Sequence, residues 1–161
     1  MDGSPHELTL PTPPRGMAPA RVEPKGRLRL PDPVVSYLKK FGDVPVFITS
    51  LDGITARIYP LPVWEHNEKL LQQSGPNSSE SNHLYFLAML YGQECGIDPN
   101  NRVVLPTNLR RDLGLEGKEV WLDCMKGRVT ILNESQMKAK FEAARKAAPA
   151  ALESLESKGL L

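Results

Sequence analysis

Cysteine is scarce: only Cys95 and Cys124 occur in 161 residues, and neither has a C-x-x-C partner or a histidine three or four positions away. His6, His66 and His83 are scattered without ligand spacing, so no metal site is expected. No apolar run is long enough to span a bilayer or serve as a signal peptide, which points to a reducing, cytoplasmic location. Buried, inert thiols fit that compartment better than the alternative, a disulfide between the two cysteines. The chain also lacks G-x-x-x-x-G-K-[ST] and G-x-G-x-x-G, the usual nucleotide cradles. Ser36, Ser50 and Glu65 offer no nucleophile-and-base arrangement, so no catalytic residues, cofactor or small-molecule substrate are expected. An excess of charge is missing too, since 20 Lys and Arg face 19 Asp and Glu. The distribution is less even, because Arg21 to Lys40 holds six basic residues against Glu23 and Asp32.

What is present is a repeat. Val22 to Pro31 (VEPKGRLRLP) aligns without a gap on Ile97 to Pro106 (IDPNNRVVLP). Downstream, Pro45 to Ser50 and Glu119 to Cys124 read as strands, followed by Asp52-Gly53 and Lys126-Gly127 and then by the strands Ile54 to Tyr59 and Arg128 to Leu132. Asp-Gly suits a two-residue type I′ turn because both central residues need positive φ. A short helix is expected after Pro31 and after Pro106, stopping at Gly42 and Gly114. Each half is thus strand, short helix, hairpin.

Around these units, residues 1–20 form a proline-rich tail expected to be disordered, with order beginning near Arg21. A first lobe spans 21–71, closed by a helix from Pro62 to Leu71 with Trp64 and Leu70 or Leu71 inward. Residues 72–82 (QQSGPNSSESN) read as a linker around Gly75-Pro76. The second lobe, 83–148, opens on a nearly uncharged helix whose Tyr85, Phe86 and Tyr91 are expected in the core or a subunit interface. It ends on a helix capped by Ser135, with Met137, Phe141 and Ala144 as its apolar stripe. From Pro149 onward the chain is expected to fray into a flexible tail, 149–161.

The repeated chemistry is an acid, three residues and an arginine: Glu23 to Arg27 and Asp98 to Arg102. A carboxylate opening a tight loop can accept backbone N–H bonds two or three residues on, proline fixes the next φ, and Gly26 or Asn101 can adopt the left-handed conformation. Glu23, Gly26, Asp98 and Asn101 are therefore loop-shaping candidates. An arginine held at a fixed angle can contact phosphate or read guanine O6 and N7 with two parallel bonds. The bland reading stays open, in which both motifs are strand-entry turns whose arginines pair with their own acids.

From about Arg15 to Phe141 the sequence resembles the MraZ transcriptional regulators, part of the AbrB-like (SpoVT-AbrB) swapped-hairpin group. The resemblance is carried by Lys25-Gly26-Arg27, Leu30-Pro31, Tyr59-Pro60-Leu61-Pro62-Val63-Trp64, Asp98, Arg102, Leu105-Pro106 and Leu109-Arg110. Glu23 stands where the family commonly has aspartate, and Asn101 where it has glycine. The family implies an α+β, mostly β architecture of two tandem AbrB-like swapped-hairpin β-barrel lobes with short helices. It also implies a homo-oligomeric ring larger than a dimer that binds repeated short boxes in double-stranded promoter DNA of the division and cell-wall gene cluster. A repressor associated with the nucleoid and not with a membrane is expected. Lys25, Arg27, Arg29, Asn100 and Arg102 are the DNA-binding candidates. The alternative is a ring-forming interaction protein without DNA contact.

Overall fold

The computed structural model describes residues 8–73 and 79–161. Residues 1–7 of the expected tail, His6 among them, and 74–78 of the expected linker, with Gly75-Pro76, lie outside the described residues. The first half runs β1 (Ala18–Arg21), a 3₁₀ turn (Pro24–Gly26), β2 (Arg27–Arg29), α1 (Asp32–Lys39), β3 (Val46–Thr49), β4 (Ala56–Pro60) and α2 (Leu61–Gln73). The second runs α3 (Ser79–Tyr91), β5 (Gln93–Cys95), β6 (Arg102–Val104), α4 (Thr107–Asp112), β7 (Glu119–Met125), β8 (Arg128–Leu132) and α5 (Glu134–Glu156). Proline opens both short helices, and their glycine stops, Gly42 and Gly114, take positive φ as the sequence leads one to expect.

The strands form a six-stranded antiparallel sheet in the order β1-β7-β8-β4-β3-β5 and a two-stranded ladder, β2-β6. Apart from the two hairpins β3-β4 and β7-β8, every pairing crosses the repeat. β1 of the first half pairs with β7 of the second half's hairpin, β5 of the second half pairs with β3 of the first, and β4 and β8 join the hairpins at the centre. Exchanging corresponding strands of the two halves returns the same order reversed, so the topology has an internal two-fold. Among the described residues the sheet stays open and no closed barrel forms, which departs from the expected barrel lobes. The class is α+β and not mostly β, because helices hold more residues than strands.

Strand alternation divides the sheet into two faces. Ile48, Ile58, Val120, Leu122, Val129 and Ile131 face a core closed by α1 and, from the ladder, by Leu28 and Val103. Both halves contribute to it, and truncating a fully buried member such as Ile58 to alanine is expected to cost about 2–5 kcal/mol. The other face carries Phe47, Tyr59, Val63, Trp64 and Ala88, with the Phe47 and Trp64 rings stacked at 4.6 Å. Thr49 Oγ1 fixes α3 there by donating to the Ala88 carbonyl at 2.7 Å.

Several expectations change at the level of local chemistry. Asp52-Gly53 is not a two-residue turn: Thr49 pairs with Arg57, and the Asp52 carboxylate gathers the wider loop between them by accepting from the backbone N–H groups of Ile54 and Thr55 at 2.8 Å each. Burial pushes the Asp52 carboxyl up, but those two N–H bonds, the Ser50 hydroxyl and the Arg57 charge together hold it below its ordinary value. The two-residue turn with both φ positive is Lys126-Gly127, between the paired Met125 and Arg128. Order starts before Arg21, since β1 begins at Ala18 and Leu8 packs on the Trp64 cluster. α2 and α3 occupy both ends of the expected linker. On α2 Trp64 is buried and Leu71 partly so, while Leu70 is half exposed. On α3 the expected core assignment holds for Tyr91 but not for Tyr85 or Phe86, the latter 65% exposed.

α5 is capped by Asn133 and not by Ser135, in a reciprocal capping box with Gln136. It continues through Pro149 to Glu156, and Phe141 is 63% exposed where a packed stripe was expected. Both cysteines are free thiols, with three strands between those that carry them, or about 19 Å at the usual strand spacing of about 4.8 Å. Cys124 is buried and its thiol is pushed up to about 11, first by burial and then by the Asp123 charge, whereas Cys95 is only partly buried.

Candidate nucleic-acid interface

The β2-β6 ladder brings the two repeated motifs side by side. Arg27 pairs with Val104, Leu28 with Val103 and Arg29 with Arg102. Because successive side chains alternate, Leu28 and Val103 enter the core, which leaves Arg27, Arg29, Arg102 and Val104 together on the outer face. Arg27 and Arg29 are exposed and Arg102 is half-buried. Lys25 and Asn100 lie exposed on the loops that lead into this ladder.

Each loop is closed by its own backbone and locked by the other half. Glu23 N–H donates to the Arg27 carbonyl at 2.7 Å, and Asp98 N–H donates to the Arg102 carbonyl at 2.9 Å. Across the repeat, Leu30 N–H donates to the Asn101 carbonyl at 2.7 Å and Leu105 N–H to the Gly26 carbonyl at 2.8 Å. These reciprocal bonds fix the loops relative to one another. The backbone at neither arginine can then shift without disturbing its counterpart.

The side chains that support the two loops differ. Asp98 Oδ1 accepts from Asn100 N–H and Arg102 N–H at 2.8 Å each, which is the expected self-capping. Glu23 makes no such cap and its carboxylate lies 3.7 Å from Arg102 Nε, so the acid of one half faces the arginine of the other. At that distance the contact is an ion pair but not a hydrogen bond, and Arg102 Nε is buried without a hydrogen-bond partner. The reading in which each arginine pairs with its own acid does not hold, and among the described residues no ion pair engages Arg27. Asn101 takes φ 62°, as its place requires, and its side chain donates to Asp32 Oδ1 at 3.2 Å. In the first loop both Lys25 (φ 66°) and Gly26 (φ 80°) are left-handed, so the positive φ is not confined to Gly26.

Sequence reasoning missed the role of Arg110. Its Nη1 donates to the Lys25 carbonyl at 3.2 Å and to the Leu105 carbonyl at 2.8 Å, while Nε donates to Glu116 at 2.9 Å. It thereby holds the first loop from the second half. A Cβ at Gly26 would strike this guanidinium and come within 2.8 Å of the Leu105 carbonyl oxygen. The only sequence signal was Leu109-Arg110 in the resemblance, which carries no hint of a contact 85 residues away along the chain.

No protein-family model matches the chain. Among curated proteins it is 35% identical over 129 residues to the transcriptional regulator MraZ of Acidobacterium capsulatum, covering 80% of this chain and 87% of the relative. It is 29% identical over 131 residues to the MraZ of Koribacter versatilis, covering 81% and 88%, and 31% identical over 126 residues to that of Thiobacillus denitrificans, covering 78% and 84%. An internally two-fold α+β protein with cross-locked arginine loops and such relatives falls in the class of transcriptional regulators. The chain belongs to the MraZ family.

Proposed function

We propose that the chain is a sequence-specific DNA-binding regulator that meets double-stranded promoter DNA with the outer face of the β2-β6 ladder. One observation carries this reading: Arg27, Arg29 and Arg102 share that face while Leu28 and Val103 anchor it in the core. The loop residues Lys25 and Asn100 flank it, Lys25 adding positive charge for phosphate. Rigidity supports the assignment, because a locked backbone leaves only side-chain freedom to be lost when the guanidinium groups engage a base edge or a phosphate.

The finer roles rest on the family resemblance. The exchange of edge strands between hairpins is what two fused AbrB-like swapped-hairpin lobes would produce. Repression of the division and cell-wall gene cluster through repeated boxes, a homo-oligomeric ring larger than a dimer, and a nucleoid-associated cytoplasmic location complete the proposal. The ring is supported by α3, whose Tyr85, Phe86, Met89 and Leu90 are exposed.

Fluorescence anisotropy on promoter and scrambled duplexes across a salt series tests the reading. Arg27→Ala is expected to weaken promoter binding by about 1–3 kcal/mol and to reduce discrimination against scrambled DNA, if the contact reads a base. A phosphate-only contact would weaken both duplexes alike and reduce the salt slope by about one. Arg102→Ala is expected to cost less, because Glu23 already partly neutralises Arg102.

A further inference from the structure

On the sheet face opposite the ladder's core side, the hairpin strands β4 and β8 hold two arginines that the DNA-binding reading does not use. Arg57 and Tyr59 share this face of β4, where Arg57 Nη1 donates to the Tyr59 hydroxyl oxygen at 3.0 Å. Arg128 is partly buried, and its Nε is fully buried with no hydrogen-bond partner among the described residues. Both guanidiniums line a cavity of about 240 Å³, with Lys126 at its polar side and Tyr59, Trp64 and Leu84 among its apolar walls. The described residues offer this positive charge little compensation. Asp52 senses Arg57 and Asp123 senses Arg128 at longer range, but no described carboxylate lies within ion-pair distance of either.

We propose that this cavity is a binding site for a small amphipathic anion, with Arg57 and Arg128 taking a carboxylate or phosphate head group and the Tyr59-Trp64-Leu84 wall taking an apolar ring or short chain. Two guanidiniums with little charge compensation are costly to hold together, and an anion in the cavity supplies the opposite charge together with charge-assisted bonds. Like-charge repulsion points the same way. The Arg128 guanidinium is held below its ordinary value first by burial and then by the Arg57 charge, and the opposite charge of a bound anion offsets both. The volume is below the range of about 300–1,000 Å³ usual for drug-sized ligands, which limits the occupant to about one ring with its head group. The apolar wall distinguishes the site from a bare phosphate cradle, and the absence of neighbouring carboxylates among the described residues distinguishes it from a cation site.

Isothermal titration calorimetry of the full chain with phenyl phosphate, benzoate and inorganic phosphate tests this. Phenyl phosphate is expected to bind at least about tenfold more tightly than inorganic phosphate, because only the former fills the apolar wall. Arg128→Gln and, separately, Arg57→Gln are each expected to weaken that binding about tenfold or more, with circular dichroism unchanged. Neither residue lies on the β2-β6 ladder, so promoter affinity measured alongside tells failure of this site from failure of the DNA-binding reading. Three results would overturn the proposal: no binding of any of the three anions, equal binding by wild type and both variants, or binding that vanishes as protein concentration rises because a second copy closes the cavity.

Discussion

The loops Glu23 to Arg27 and Asp98 to Arg102 perform the same task with different support. The second caps itself, since Asp98 accepts two backbone N–H bonds within its own five residues. The first depends on a guanidinium supplied by the other half, because Arg110 holds the Lys25 carbonyl and Glu23 caps nothing. The repeat explains why this guanidinium has no counterpart in the first half. The gapless alignment places Val35 where the second half has Arg110, and Val35 is buried in the core, so no first-half guanidinium reaches back to the second loop. A duplicated motif can thus keep its backbone path while the side chains that hold the path diverge.

The comparison can be broken first at the left-handed positions. Gly26→Ala is expected to destabilise the protein by about 2–4 kcal/mol, since a methyl there meets both the Arg110 guanidinium and the Leu105 carbonyl at a positive φ. Asn101→Gly, at the corresponding place in the second loop, is expected to change stability by less than about 1 kcal/mol. Urea unfolding monitored by circular dichroism compares the two, and equal effects would show that the loops are supported alike.

Removing the support itself is the next test. Arg110→Ala deletes two bonds to backbone carbonyls and the partner of Glu116, for an expected loss of about 1–3 kcal/mol. Hydrogen exchange should then rise at the Gly26 and Arg27 amides and stay unchanged at Asn101 and Arg102. A rise in both loops would mean that Arg110 supports the fold as a whole and not the first loop.

The acids provide the smallest effects and the finest distinction. Asp98→Ala is expected to cost about 1–2 kcal/mol, as loss of a capping carboxylate does, whereas Glu23→Ala is expected to cost less than about 0.5 kcal/mol because its ion pair with Arg102 is partly exposed. The methylene that separates glutamate from aspartate thus marks a change in how the loop is held. Thermal melts of the two variants at one salt concentration would read the difference directly, and equal shifts would contradict it.

The range of the interactions that create these features decided which of them were legible in the sequence. The short helices, the Asn101 conformation and the Asp98 cap were legible because proline, glycine, asparagine and aspartate act within a few residues. The partner of each edge strand was not, because β1 and β5 carry no mark of whether they pair with their own half's hairpin or the other's. The Asp52-Gly53 turn failed as a two-residue hairpin because the carboxylate bonds Ile54 and Thr55 instead and organises a wider loop, while Lys126-Gly127, a weaker signal, makes the tight turn. Asn133 was missed as the cap although Gln136 stands three residues on, because Ser135 was the more conspicuous hydroxyl. For the site, the arginines themselves were legible, but their shared face required the β2-β6 pairing, and the Arg110 contact required the folded chain.

On the DNA-binding reading both loops deliver their arginines to one face, and the Arg27→Ala, Arg102→Ala double variant removes both at once. Its affinity for the promoter duplex should be measured by fluorescence anisotropy once circular dichroism and sedimentation have shown fold and assembly to match the wild type. Loss of two contacts predicts binding weaker than that of Arg27→Ala alone, with a total loss of less than twice its cost of about 1–3 kcal/mol and a shallower dependence on salt. Promoter affinity equal to that of the wild type would contradict the account and leave the chain as an interaction protein whose repeated loops serve only its fold.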